Sequence, residues 1–439
     1  MPRVQPSFET LDRPGGLARV GLLRPLRASR DFRVLWAGMA VSLLGDGVFL
    51  IAIAWTAFEL WNAPGALAVI GIAMTVPMIC CLLAGGAISD RFDRRRVLIA
   101  SDVARAVAVA AIAILGFAGA LSFPLLVVLA AAYSAAGAFF TPAFDAIVPS
   151  IVPVDHLAAA NSLDQFVRPI TLRLAGPALG GLIVAGLGAS SAFALDAVSF
   201  AASTLAIVSV RTPLRVEFPA SSTRAAIGEG LRFVRRHVWL WGTLGSAAIA
   251  YLAFLGPTEV LVPYLIRNEL HGSAADLGIV YAAGGIGAIA AAVVMAQRGQ
   301  PRRDLTFMYG CWTAATLAVA GYGLARSTLQ LAFVCLAFNG LEAAGTVVWA
   351  TIKQHHVPGG LLGRVSSLDW LISIGLLPIS YALTAPVVAL VGVKATLIGA
   401  SLIGAAATAA ALLLPGMRAI EGTCRHADVE PPATQRAAA

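Results

Sequence analysis

Apolar residues in this chain run on for about 20 positions at a time before a short polar or Gly/Pro joint interrupts them. At ~1.5 Å of rise per helical residue, runs of that length match the ~30 Å hydrocarbon core of a bilayer. The pattern predicts helices at 33–60, 65–89, 97–119, 123–146, 158–186, 190–210, 238–265, 274–296, 305–325, 328–351, 364–390 and 394–414, twelve in all. The longest polar interruption, Arg211 to His237, divides them six and six. The expected fold is an all-α membrane protein of two pseudo-symmetric six-helix bundles. The parts are a basic N-terminal segment (1–31), a first bundle (32–210), a central loop (211–237), a second bundle (238–415) and a disordered tail (416–439).

Composition agrees with that pattern. Hydrophobic residues reach 59% and charged residues only 12% of 439, too few charges to cover a soluble protein of this length. The net charge of +8 would suggest an acidic partner, but the placement of the basic residues says otherwise. Of 31 Lys and Arg, 25 fall on the termini and even-numbered connections, and only Arg267, Arg326 and Lys394 on the odd-numbered ones. The positive-inside rule then puts both termini in the cytoplasm of a bacterial-type plasma membrane, and a nucleic-acid partner is not required. Residues 21–32 read as a short basic helix lying on the inner membrane surface. The five cysteines lack metal-ligand spacing, and no phosphate-binding loop suggests ATP. Gly285-Ile-Gly287-Ala-Ile-Ala290 satisfies a dinucleotide pattern, but inside an apolar span it reads as a helix-contact surface.

The two halves share a repeat at an offset of 205. Val152-Pro153 followed by Ser162-Leu163-Asp164 recurs as Val357-Pro358 followed by Ser367-Leu368-Asp369, with Thr141/Thr346 and Ile147/Ile352 in the same frame. Asp164 and Asp369, as repeat mates, suit a structural role at the inner ends of their spans, and Arg168 is placed to pair with Asp164 four residues away.

Charge inside the spans is scarce and therefore informative, because each such group is costly in hydrocarbon. Asp46 lies deep in the first span with no basic residue within ten positions, so its partner must come from another helix. It is the first candidate proton carrier, with Arg173 or a cationic substrate competing for it. Glu259 and Glu342 are the second candidates. The candidate cavity comprises Asp46, Trp55, Arg173, Asp196, Tyr251, Glu259, Phe338 and Glu342: acids for an organic cation, aromatics for cation–π contact, and one deep Arg. Two Gly-bearing motifs remain. Gly86, Asp90, Arg91, Arg94 and Arg95 sit between spans two and three, with Asp93 among them and Asp102 and Arg105 on the next helix. Gly176, Pro177, Gly180 and Gly181 lie in span five, where Pro bends a helix and Gly permits close approach.

Twelve spans in two parallel repeats, with the Gly86-x-x-x-Asp90-Arg91-x-x-Arg94-Arg95 loop, resemble the major facilitator superfamily. In its loop signature a second glycine stands where this chain has Asp93, a residue that also tolerates a φ > 0 turn. The resemblance implies that Gly86, Asp90, Arg91, Arg94, Arg95, Asp102 and Arg105 form a cytoplasmic gate. Gly176-Pro177-x-x-Gly180-Gly181 is similar to the core of the superfamily's antiporter signature, which implies a functional kink. Arg30 to Trp36, Gly45-Asp46, Ala160 to Leu163 and Arg173-x-x-Gly176-Pro177 together resemble the bacterial exporters of the macrolide-efflux and enterobactin-exporter type. That resemblance implies a monomeric transporter, not an enzyme, that needs no cofactor and uses the proton gradient to export an amphipathic or cationic small molecule. A specific metabolite, siderophore or lysolipid is the alternative cargo; a sensor or scaffold without flux is the remote one.

Overall fold

The computed structural model describes residues 24–89, 93–153, 156, 160, 163–164, 167–210 and 223–421. Among these, every regular element is helical. In chain order they are α1 (Arg24–Ala28), α2 (Arg30–Leu60), α3 (Pro64–Ser89), α4 (Arg94–Phe117), α5 (Phe123–Gly137) and α6 (Phe140–Ile151). α7 (Val167–Leu187) and α8 (Ala189–Ser209) complete the first set. After α9 (Thr223–Arg236) come α10 (Val238–Glu269), α11 (Ala274–Arg298), α12 (Asp304–Leu324), α13 (Thr328–His356), α14 (Gly359–Gly375), α15 (Leu377–Val391) and α16 (Val393–Ala411).

Ten segments among the described residues are long and apolar enough to cross a membrane. Most predicted boundaries shift by only a few residues, while two predicted spans are each divided: 123–146 is α5 and α6, which meet at Ala138 and Phe139, and 364–390 runs over α14 and α15, which meet at Leu376. The central loop is partly helical: α9 carries apolar residues at helical spacing and buries Val234, while Glu229 pairs with Arg364 on α14. The tail expected to be disordered from 416 starts with an ordered turn, Met417–Ile420. Met417 is fully buried and packs over Gly242, and the Glu421 carboxylate accepts a hydrogen bond from the Thr306 amide (3.0 Å). Within the proposed basic surface segment, Arg24–Ala28 is helical and Ser29 caps α2.

The helices are polar inward and apolar outward. On α8, Asp196, Ser199 and Ser203 are buried, while Leu195, Val198 and Leu205 are exposed. Further exposed leucines, among them Leu187 and Leu390, line other spans. This arrangement suits a lipid solvent, in which apolar surface carries no penalty and polar groups must find partners inside.

In the first set α2 packs on α7 and α8, α4 on α5 and α8, and α3 on α5. In the second, α11 and α12 pack on α13, α12 on α16, and α10 on α15 and α16. The sets meet where α3 lies on α15 and α10, and where α7 lies on α11. Glycine makes both approaches possible: a Cβ on Gly71 would meet the Tyr381 ring at 2.6 Å, and one on Gly181 would meet Gly278 Cα at 3.0 Å.

Candidate functional site

Asp46 lies sixteen residues into the 31-residue α2, ~24 Å from its start. Its partners come from other helices. Tyr133 Oη of α5 donates to Asp46 Oδ1 (2.5 Å), and Arg105 Nη1 of α4 stands 3.7 Å from Asp46 Oδ2. The same guanidinium pairs with Asp102 one turn earlier on α4 and lies between the rings of Phe140 (4.7 Å) and Phe200 (4.3 Å). Phe49 stacks on Tyr133 at 4.2 Å, closing the cluster from the α2 side. Asp196 of α8 faces the cluster across Gly45, where any Cβ would collide with its carboxylate and with Ser199. Its Oδ1 accepts from Ser199 Oγ (3.2 Å), and its buried Oδ2 has no hydrogen-bond partner. Three carboxyl groups, one guanidinium and one phenol thus share a largely dry interior.

This geometry corrects two expectations. The basic neighbour of Asp46 is Arg105 rather than Arg173. Asp102 and Arg105 belong to this interior cluster rather than to a gate at the membrane surface. Arg105 is eleven residues into α4, ~16 Å from the loop, which removes it from the surface network. Of the loop residues, Gly86 is near the end of α3, and Asp90 and Arg91 lie outside the described residues. Arg94 is buried, and Arg95 donates to the Val208 carbonyl of α8. Asp93 does not use the φ > 0 conformation: at φ −57° it is the N-cap of α4, accepting from the Arg95 amide (2.9 Å).

The Gly/Pro motif has a definite backbone consequence. Pro177 has no N–H to offer, and its ring would crowd a regular preceding turn. The chain widens into a π-helical turn, Ile170–Ala175, and resumes as α-helix at Gly176. Gly176 meets the backbone of Gly47, Gly180 that of Val48, and Gly181 that of α11, so the motif is a close-packing surface on two sides. The wide turn carries Arg173, which is exposed, and Glu259 of α10 is exposed too, although both lie within the bundle. Each therefore borders a solvent-reachable central space, with Arg173 the guanidinium acting electrostatically on Glu259. Gly285 packs on the Arg173 carbonyl, in keeping with a helix-contact role for its motif.

Glu342 lies in a separate narrow cleft within the second set, between α10, α12, α13 and α16. Tyr251, Phe254, Trp312 and Phe338 line it, and Thr346 Oγ1 donates to Glu342 Oε1 (2.9 Å). The predicted cavity residues therefore occupy four places. Asp46 and Asp196 are in the interior cluster, Arg173 and Glu259 border the central space, and Tyr251, Phe338 and Glu342 line the cleft. Trp55 belongs to none of these. Its ring lies 4.7 Å from the Arg267 guanidinium, whose Nη1 donates to the Trp55 carbonyl (3.3 Å). Beside it, Asn62 Nδ2 donates to Asn268 Oδ1 (2.8 Å), so the C-terminal end of α2 is tied to that of α10, from one set to the other. Arg267 and Asn268 stand on a second π-helical turn, Leu265–Glu269.

The repeat reappears in three dimensions. Asp164 pairs with Arg168 (2.6 Å), whose guanidinium is 5.8 Å from the Phe144 ring; Asp369 pairs with Lys353 (2.5 Å), whose ammonium is 5.1 Å from Trp349. Phe144 and Trp349 stand at the same offset of 205 as the two aspartates, but the cations come from different positions.

Sequence reasoning missed Tyr133 and Trp312. A lone Tyr in the apolar run 123–137 was the only available signal for the first, and nothing marked the second.

An all-helical bundle with inward acids, two helix sets and a cleft in one of them has the architecture of a major facilitator transporter. A solved bacterial homologue of the iron transporter ferroportin aligns with a TM-score of 0.66 at 16% identity, over 87% of this chain and 98% of that one. The sequence profile of the transmembrane secretion effector family matches residues 20–435, and the chain belongs to that family. The multidrug efflux pump Tap of Mycobacterium tuberculosis is 27% identical over 428 residues, covering 91% of this chain and 97% of the pump. Macrolide efflux protein A of Streptococcus pyogenes is 24% identical over 367 residues, covering 81% and 88%. The protein is a multi-pass membrane transporter, not an enzyme.

Proposed function

We propose that this transporter exports an amphipathic organic cation in exchange for protons across the plasma membrane, working as a monomer with both termini in the cytoplasm. The observation that carries the reading is the interior cluster, in which Asp46, Asp102 and Asp196 gather around the guanidinium of Arg105, with Arg168 acting on Asp46 from farther away. Three carboxylates against one guanidinium would bury two uncompensated negative charges, which is prohibitive, so charge balance calls for protons on two of the three acids. Asp46 holds the exchangeable one, because it is the most open of the three acids and has Tyr133 as a hydrogen-bonding neighbour.

Glu342 and the aromatic cleft receive the cation, while Arg173 and Glu259 border its route. The Trp55–Arg267 and Asn62–Asn268 contacts close the extracellular end. Rocking of the two sets then alternates the access, with the 86–95 loop latching the cytoplasmic side in the opposite state. The names of Tap and macrolide efflux protein A support export of drug-like molecules.

The test is reconstitution into vesicles with a pH gradient, an internal pH dye, and a panel of organic cations, siderophores and lysolipids. Organic cations should move against proton flux. Movement of a siderophore or lysolipid alone would replace the cargo, and no gradient-driven movement of any compound would refute the exchange.

A further inference from the structure

We propose that Gly345 sets the width of the Glu342 cleft, and with it the size of cation that the cleft accepts, by leaving room for the Trp312 ring against α13. The inference rests on the reading of that cleft as the substrate site. Glu342 and Gly345 are three apart on α13 and share a face. The Trp312 indole, reaching over from α12, occupies the volume that a side chain at 345 would fill: a Cβ there would stand 2.5 Å from Trp312 Cδ1 and 3.0 Å from Cε2. Real Cβ atoms do not approach carbon so closely, so any larger residue must displace the ring.

The ring has little freedom to retreat. Tyr309 and Trp349 meet it edge-on, with centroids 6.1 and 6.3 Å away, and both are buried. Each is itself held, Tyr309 by a hydrogen bond with Thr243 (2.7 Å) and Trp349 by its Nε1 donating to Asp369 (2.9 Å). The unblocked direction is into the cleft, toward Tyr251 and Phe338. With glycine at 345 the cleft, about 40 Å³ in this conformation, has aromatic residues and a carboxylate in its lining, groups that suit an aromatic cation once the cleft opens to admit it. With alanine the cleft narrows. Near-filled apolar sites discriminate single methylene groups by factors of about ten and upward, so the effect should be large for bulky cargo.

Ethidium, a flat aromatic cation, and tetraphenylphosphonium, a bulkier one, are the probes, with pH-driven transport by the full chain in vesicles as the readout. Gly345→Ala should raise the ethidium KM about tenfold with little change in kcat. Adding Trp312→Ala to that variant removes the clash and should bring KM back to that of Trp312→Ala alone. A KM within twofold of the parent, or additive effects in the double variant, overturns the inference. Should Gly345→Ala fail to fold, Trp312→Phe carries the test. A wider cleft should raise the transport of tetraphenylphosphonium relative to ethidium, and an unchanged ratio is contrary evidence. Glu342→Gln separates this inference from the reading beneath it. If that variant transports both cations normally, the cleft is not the substrate site and both fall; if it fails while Gly345→Ala behaves as the parent, only the width inference falls.

Discussion

Replacing Asp46 by Asn removes the negative charge that Asp46 carries once its proton has left, while keeping a side chain of the same shape that can still accept from Tyr133. The charge lost stands 3.7 Å from Arg105, a gross attraction of about 4 kcal/mol at an effective dielectric constant near 20. Little of that becomes lost stability, because Asp102 still pairs with the guanidinium and the repulsion between Asp46 and Asp196 disappears. A change of about 1 kcal/mol in either direction is expected.

The functional effect is thermodynamic. A gradient of one pH unit supplies about 1.4 kcal/mol per coupled proton, which sustains about a tenfold cation ratio across the vesicle wall. If Asp46 carries that proton, the Asn variant should still exchange labelled for unlabelled cation at equal concentrations, but its gradient-driven ratio should fall from about ten to about one. Both quantities can be read on the same vesicles. An undiminished ratio in Asp46→Asn removes Asp46 from the coupling. Loss of exchange together with accumulation would instead place the residue in binding.

Arg105→Met leaves three carboxyl groups without their guanidinium, and breaking a buried pair from one side costs about 3–5 kcal/mol, so thermal unfolding in detergent should come markedly earlier than for the parent. An unchanged midpoint would mean that the cluster is already neutral. Glu229 and Arg364 form a pair with both side chains about a third or more exposed, so Glu229→Gln should alter stability by less than about 1 kcal/mol in the same assay. With Cys80, Cys81, Cys311, Cys335 and Cys424 replaced, Asn62→Cys with Asn268→Cys should cross-link and block transport, and reduction should restore it. Transport through the cross-linked protein would show that this end need not open.

Much of the fold was legible in advance because bilayer thickness and helical rise convert a run of apolar residues directly into a span. The exceptions have local causes. A break at Ala138 and Phe139 does not interrupt an apolar run, so 123–146 read as one helix. In α9 the apolar residues are too few to raise the mean hydropathy, although they are spaced well enough to bury Val234. Deep charges were legible for the same reason as the spans, since each stands out against an apolar background.

Which of those charges meet was not legible. Asp46, Arg105, Tyr133 and Asp196 lie on four helices and are up to 150 residues apart, and their distances depend on how the helices rotate and cross. The sequence pointed to Arg173 as the competitor for Asp46 and grouped Arg105 with the cytoplasmic loop. The glycines that bring α2 against α7 and α8 turned Asp46 toward α4, and the π-helical turn before Pro177 carried Arg173 to the central space beside Glu259. By itself the sequence determined the solvent, the helices and the inventory of polar groups inside them, because these follow from composition along the chain. Only the tertiary structure decided the pairings, because a partner in a membrane interior is chosen by close packing between helices, and spacing along any one helix carries no record of it.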